Sequence, residues 1–282
     1  MIVSITYGNE KFEKAKVFNC KMAKKYGADV AIAYGPEVLD EEFRRKNQAL
    51  LMQKRGGGYW IWKPYIILKT LERLNEGDIL IYTDAGAIFV KKISYLLQTM
   101  ERENTDIMVF SLDHLEKTYT KRDAFILMEC DTPAYTDTNQ ILSGYIICKK
   151  TERVLRLFTE WQKYILDERI VSDIPNRIGK DNYEGFIENR HDQSILSLLC
   201  KKYGVKPFRD PSQFGRGEYL VGVPKEVLDR SPYPQVIDSF RFGDVSSRFE
   251  LKHRDEQWYI KTKYFWQQVK KKFQRYCDRR ND

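Results

Sequence analysis

Short apolar runs and longer amphipathic stretches alternate along most of this chain. Ile2 to Thr6 reads as a strand, and Glu10 to Tyr26 as a helix with Phe12, Ala15, Phe18, Met22 and Ala23 on its inner face. Asp29 to Tyr34 is a second strand, followed by a helix over roughly Glu37 to Met52 and a loop at Gly56-Gly57-Gly58. Pro64 opens a helix to Leu74, where its missing N–H costs nothing. The pattern then predicts strands at Ile79–Tyr82, Asp106–Phe110 and Ile141–Cys148, and helices at Glu152–Leu166 and His191–Tyr203. Alternating strands and helices imply an α/β fold with a mostly parallel central sheet and helices on both faces. Ligands on such sheets bind beyond the carboxyl ends of the strands, so the loops after Thr6, after Tyr82 and around Ser143 matter most. No internal repeat and no long linker divides the chain.

At 282 residues, with 42% hydrophobic and 31% charged residues, the chain can bury a real core and is not a disordered polymer. Aromatics reach 13%, which suits ring stacking and sugar contact as well as ordinary cores. The best apolar run, Ile79 to Val90, is too short for a membrane span and carries Asp84. The N-terminus has no basic segment and no cleavage site, so a signal peptide is not expected. Five scattered cysteines give no disulfide framework or zinc site, which points to a reducing cytoplasm.

Charge alters this picture at one end. Ten basic and four acidic residues lie from Lys252 to Asp282, which accounts for +6 of the net +8. Trp258, Phe265, Val269, Phe273 and Tyr276 share one helical stripe flanked by Lys270, Lys271, Lys272 and Arg275. The division expected is therefore 1–251 for the α/β domain and 252–282 for a basic amphipathic C-terminal helix. That helix either docks on the domain or anchors the protein to an anionic membrane surface. No nucleic-acid recognition motif accompanies the charge, so nucleic acid is not an expected partner.

Candidate chemistry concentrates in Gly58-Tyr59-Trp60-Ile61-Trp62-Lys63-Pro64-Tyr65 and in Asp78-Ile79-Leu80-Ile81-Tyr82-Thr83-Asp84-Ala85-Gly86-Ala87. A carboxylate just beyond a hydrophobic strand sits at the ligand edge of the sheet, where Asp84 either holds a divalent metal or caps a turn. Lys63, near a helix N-terminus, suits phosphate. Ile61 separates two tryptophans that would point opposite ways, one buried and the other nearer the site. A glycine-rich loop with Arg after the first strand, a P-loop and a dinucleotide fingerprint are all missing, which argues against nucleotidylyltransferases, P-loop NTPases and Rossmann dehydrogenases.

These stretches resemble GT-A glycosyltransferases, most of all a bacterial group that shares the Gly-Tyr-Trp-Ile-Trp-Lys-Pro helix start and a strand ending in Asp-Ala-Gly. The resemblance continues in Gln140-Ile141-Leu142-Ser143-Gly144-Tyr145, in Arg190-His191-Asp192-Gln193-Ser194-Ile195-Leu196, in Asp210-Pro211-Ser212-Gln213 and in His253-Arg254. The Asp192-Gln193 stretch is similar to the helix start of glycogenin-like enzymes. It implies a single GT-A-like (Rossmann-like) domain that moves a sugar from a nucleoside diphosphate sugar to a glycan or lipid-linked acceptor. UDP is favoured over GDP as the donor nucleotide, the pathway implied is surface polysaccharide synthesis, and the resemblance leans toward retention of configuration. The location implied is the cytoplasm, at the inner face of the membrane.

On this resemblance Thr6, Tyr7, Gly8, Lys63, Asp84, Ala85, Gly86, Ser143, Gly144 and Arg254 bind the donor. Asp192 and Gln193 work at the reacting centre, where Asp192 acts as a general base or stabilises positive charge and also serves as a helix cap. The motif departs from DXD, because Asp84-Ala85-Gly86 has one carboxylate in place of two. Mn²⁺ or Mg²⁺ therefore needs a second ligand, or metal dependence is lost; His253 is the candidate, with a diphosphate contact or a surface position as the other readings. Lys121, Arg122 and Asp123 contact donor or acceptor, or form a solvated loop. The non-enzyme alternative is a degenerate transferase domain that serves as a membrane-surface binding or assembly scaffold.

Overall fold

The computed structural model describes residues 1–239. His253, Arg254, the boundary at residue 251 and the basic tail 252–282 lie outside the described residues.

Eight strands are formed among them: β1 (Ile2–Tyr7), β2 (Val30–Tyr34), β3 (Ile79–Thr83), β4 (Ala87–Phe89), β5 (Ile107–Leu115), β6 (Asn139–Lys149), β7 (Phe208–Arg209) and β8 (Ile237–Ser239). Six make the central sheet in the order β2-β1-β3-β6-β5-β7, and β4 pairs with β8 in a separate two-stranded sheet. β6 runs antiparallel to both of its neighbours, and every other pairing in the large sheet is parallel. The expected mostly parallel α/β fold is therefore present.

Period-2 alternation along the strands builds two cores. Val3, Ile5, Leu80, Tyr82, Ile107, Val109, Ile146 and Cys148 join one cluster. Their neighbours Ile81, Met108, Phe110, Tyr145 and Ile147 join the other. Helices cover both faces. The longer ones are α1 (Glu13–Lys25), α2 (Trp62–Leu71), α3 (Ser94–Arg102), α4 (Glu152–Ile165) and α5 (Asp192–Lys202). α1 packs on β1, β2 and β4, while α4 packs on both α2 and α5, and α5 on β6. Val154, Leu157, Phe158, Trp161 and Ile165 form the buried stripe of α4, whose first turn is capped by the Thr151 hydroxyl accepting from Val154 N–H at 3.2 Å.

Several elements differ from the sequence pattern. The helix expected over Glu37–Met52 is a 3-10 turn followed by Glu41–Lys46 and Gln48–Leu51. Asp40 starts the first by accepting from Phe43 N–H at 2.7 Å, and Asn47 breaks the run by donating its side chain to the Phe43 carbonyl at 2.8 Å. The glycine loop is instead a left-handed turn, with φ of 61°, 57° and 95° at Gly56, Gly57 and Gly58, then 52° and 60° at Tyr59 and Trp60. β5 continues five residues past Phe110, with register irregularities that short-range alternation does not encode.

Candidate active site

A cleft of about 830 Å³ opens at the carboxyl edge of the sheet, lined by Tyr7 and Gly8 after β1, by Asp84, Ala85 and Gly86 after β3, and by Gly144 of β6. A larger depression of about 1130 Å³ lies at the opposite edge, where Arg153 and Arg230 are already paired with Asp106 and Glu103.

Its floor is the turn after β3. Asp84 N–H donates to Gly144 O at 2.8 Å, and Ala87 N–H donates to Asp84 O at 2.8 Å. The buried Asn19 amide, projected from α1, donates to Thr83 Oγ1 at 2.8 Å, to Asp84 O at 3.4 Å and to the Ala87 carbonyl. The backbone of Asp84 thus closes the turn, while its side chain remains 45% exposed to the cleft.

Beneath the floor lies a buried ion cluster. Lys63, in the first turn of α2, is 1% exposed. Its ammonium donates to Asp192 Oδ2 at 2.6 Å and to the Ser143 carbonyl and hydroxyl at 3.3 Å, and sits 3.4 Å from Asp84 Oδ1. Ser143 Oγ also donates to Asp192 Oδ2 at 2.7 Å, and Tyr82 OH donates to Asp84 Oδ1 at 2.5 Å. Burial opposes the Lys63 charge, but Asp192 and Asp84 outweigh it and hold the ammonium above its usual pKa. Partial desolvation at the base of the cleft, with a smaller push from Asp192, raises the Asp84 carboxyl above its usual pKa against the pull of Lys63 and Tyr82. Lys63 therefore faces carboxylates and not the open cleft, apart from the phosphate position expected of it.

Gln193 lines the cleft at the start of α5; its side chain accepts from Ser143 N–H at 3.3 Å and donates to Gln140 Oε1 at 2.6 Å. Gln140 in turn donates to the fully buried Glu116, which Thr120, Ser197 and Lys201 also satisfy. Just before Asp192, His191 takes φ 53° and caps α5 with its backbone alone. Its imidazole stacks on Tyr59 and Trp60 at centroid distances of 4.8 and 5.5 Å. Its Nδ1 donates to the Val171 carbonyl at 2.6 Å. Burial lowers its pKa, while the Val171 carbonyl and Asp173 oppose that shift. Both tryptophans expected to diverge line the cleft: Trp62 stacks on Tyr7 at 3.8 Å and ties the glycine turn through Nε1–H to Gly56 O at 3.0 Å. Burial pushes the Tyr7 phenol up to about 12.

Of the expected donor residues, Tyr7, Gly8, Asp84, Ala85, Gly86 and Gly144 line the cleft, with Gln193 from the reacting pair. Thr6, Ser143 and Asp192 are buried behind it. Lys121 and Asp123 have a different task from either reading. Lys121 donates to Ile174 O at 2.7 Å and Asp123 accepts from Arg177 N–H at 2.6 Å, which pins the loop after residue 171. Asp210 accepts from Tyr145 OH at 3.2 Å, and Gln213 bonds both ways with the Ser239 backbone, so this stretch buttresses the cleft from below.

Three cleft-lining cations escaped the sequence reading, Lys11, Arg44 and Lys54; Arg190, from the Arg190–Leu196 stretch, lines the cleft as well. Among the described residues Lys11, Arg44 and Lys54 form no salt bridge, and all three are exposed. The only local cue was Lys54-Arg55 directly before the glycine run. The described residues do not by themselves fit a divalent cation. No cluster of three His, Cys, Asp or Glu residues suited to a metal occurs among them. Asp84 is the single carboxylate lining the cleft, and one of its oxygens is engaged by Lys63 and Tyr82. His253, the expected second ligand, lies outside the described residues.

No protein-family model and no curated protein matches this chain. Among solved structures, the apo WbbM bifunctional glycosyltransferase is similar at 7% identity and a TM-score of 0.48, over 86% of this chain and 46% of that one. This chain thus spans under half of that chain's length, and a likeness this distant lends the site no role. No described helix is long and apolar enough to cross a membrane.

Proposed function

We propose that this protein is a glycosyltransferase that moves a sugar from a nucleoside diphosphate donor, UDP favoured over GDP, to a glycan or lipid-linked acceptor. One observation carries the reading: a single cleft at the carboxyl edge combines a stacked Tyr7–Trp62 pair, three cations outside salt bridges and a carboxylate floor. The aromatic pair suits a flat base or sugar face, and the cations suit a diphosphate.

In the transfer, the bond from the anomeric carbon to the diphosphate oxygen breaks, and the diphosphate leaves with the electron pair. The acceptor hydroxyl oxygen bonds to that carbon, and its proton is released. Asp192, held by Lys63 and Ser143 behind the cleft wall, supplies a fixed negative charge that favours positive charge developing on the sugar. Gln193, locked by Gln140, orients sugar hydroxyls. Retention is carried as the stereochemical expectation. Surface polysaccharide synthesis is its proposed setting, and the 252–282 tail its proposed contact with anionic membrane.

The test is a panel of UDP- and GDP-sugars incubated with the full chain and glycan acceptors. Product is read by mass spectrometry, and anomeric configuration by NMR. Asp84→Ala is expected to lower transfer about a hundredfold or more, the range seen when one preorganised electrostatic group is lost. Undiminished transfer in that variant would remove Asp84 from the site.

A further inference from the structure

The cleft poses a charge problem that the buried cluster resolves. A diphosphate brings negative charge toward Asp84, the one carboxylate that lines the cleft among the described residues. Directly beneath, Lys63 lies 3.4 Å from Asp84 and 2.6 Å from Asp192, with Tyr82 OH donating to the same Asp84 oxygen. An ammonium in that position does two things. It cancels part of the floor's charge, and it repels any dication that approaches the remaining Asp84 oxygen. Hard divalent cations want several oxygen ligands, and this floor offers very few. The rim, by contrast, carries Lys11, Arg44 and Lys54, which form no salt bridge among the described residues.

We infer that the cleft binds its nucleoside diphosphate without a divalent cation, Lys63 neutralising Asp84 and Asp192 from beneath while Lys11, Arg44 and Lys54 meet the phosphate oxygens. This rests on the sugar-transfer reading above. Lys63 is a positioning residue in it, because it touches the carboxylates and not the ligand. The strong resistance of the buried ammonium to deprotonation keeps the arrangement intact at neutral pH.

The experiment is a calorimetric titration of the metal-stripped full chain with UDP and GDP, in EDTA and again in excess Mn²⁺. One nucleotide is expected to bind in EDTA with a Kd within about threefold of its value in Mn²⁺. The rim double variant Arg44→Ala/Lys54→Ala is expected to weaken that binding about tenfold or more. In a second arm, paramagnetic resonance follows free Mn²⁺ added to the protein alone. The wild type is expected to leave the signal unchanged, whereas Lys63→Met exposes two uncompensated carboxylates and is expected to bind Mn²⁺. If Lys63→Met fails to fold, the EDTA titration and the rim variant decide alone. Binding that requires Mn²⁺ and is lost in Asp84→Asn would overturn the inference and leave the transferase reading standing. Failure of every nucleotide to bind, with or without Mn²⁺, would overturn both.

Discussion

At the scale of single residues, the left-handed turn before α2 makes a sharp demand on side-chain size. A Cβ at Gly58 would come within 2.8 Å of the Leu51 backbone at φ 95°, whereas one at Gly57 meets nothing closer than 3.9 Å. Gly58→Ala is expected to cost about 2–4 kcal/mol in urea unfolding and Gly57→Ala about 1, since only the first adds a clash to backbone strain. Equal losses would show that the turn relaxes. His191 gives a pH prediction. Its folded pKa lies below the ordinary value, so its contribution is present above about pH 6.5 and is lost as pH falls through the folded value. Asp173 at 3.6 Å works against that loss, and Arg55 adds to it. Wild-type stability should therefore drop more between pH 7.5 and 5.5 than that of His191→Gln, measured in urea at both values. Residue chemistry at strand ends was readable in the sequence, because Tyr7, Gly8, Asp84 and Gly86 announce themselves by following apolar runs. The partnership of Lys63 with Asp192 was not, since 129 positions separate them and neither residue type specifies the other. Lys11, Arg44 and Lys54 were hidden for another reason: beyond the place of Lys54 just before the glycine run, nothing local distinguishes three surface cations among 48.

At the scale of elements, α1 does more than cover the sheet. Through Asn19 it holds the β3 turn at three acceptors, so the pose of Asp84 depends on a helix that never enters the cleft. Asn19→Leu removes those donors and is expected to destabilise the fold by about 1–3 kcal/mol. It should also weaken nucleotide binding, and retention of full affinity would show that the turn holds itself. Strands β1, β2, β3, β5 and β6 of the main sheet and helices α1, α2, α4 and α5 were legible, because their periods of 2 and 3.6 run over enough residues to register. The break at Asn47 was missed because helix periodicity continues across it while the side chain takes a backbone partner. α3, β4, β7 and β8 passed unnoticed. Three of these are two- or three-residue strands, too short for periodicity to register, and their pairing depends on residues far apart such as Ala87 and Ser239.

At the scale of the whole molecule, the rim cations make donor binding an electrostatic event. Raising NaCl from about 50 to 500 mM should weaken nucleotide affinity roughly tenfold, because exposed charges are screened over a few ångströms at high salt. Affinity indifferent to salt would leave stacking on Tyr7 and Trp62 as the anchor. The tail's charge lies outside this account, since six of the eight net charges belong to residues 252–282. The buried ion cluster has a consequence for how the chain is made. Lys63, Asp84, Ser143 and Asp192 come from four distant stretches, and burying the lysine without its carboxylates would be costly. A chain emerging from the ribosome therefore has no stable place for Lys63 until residue 192 has appeared. Through roughly the first two thirds of synthesis the cluster lacks Asp192, and the cleft comes into being in one late cooperative step.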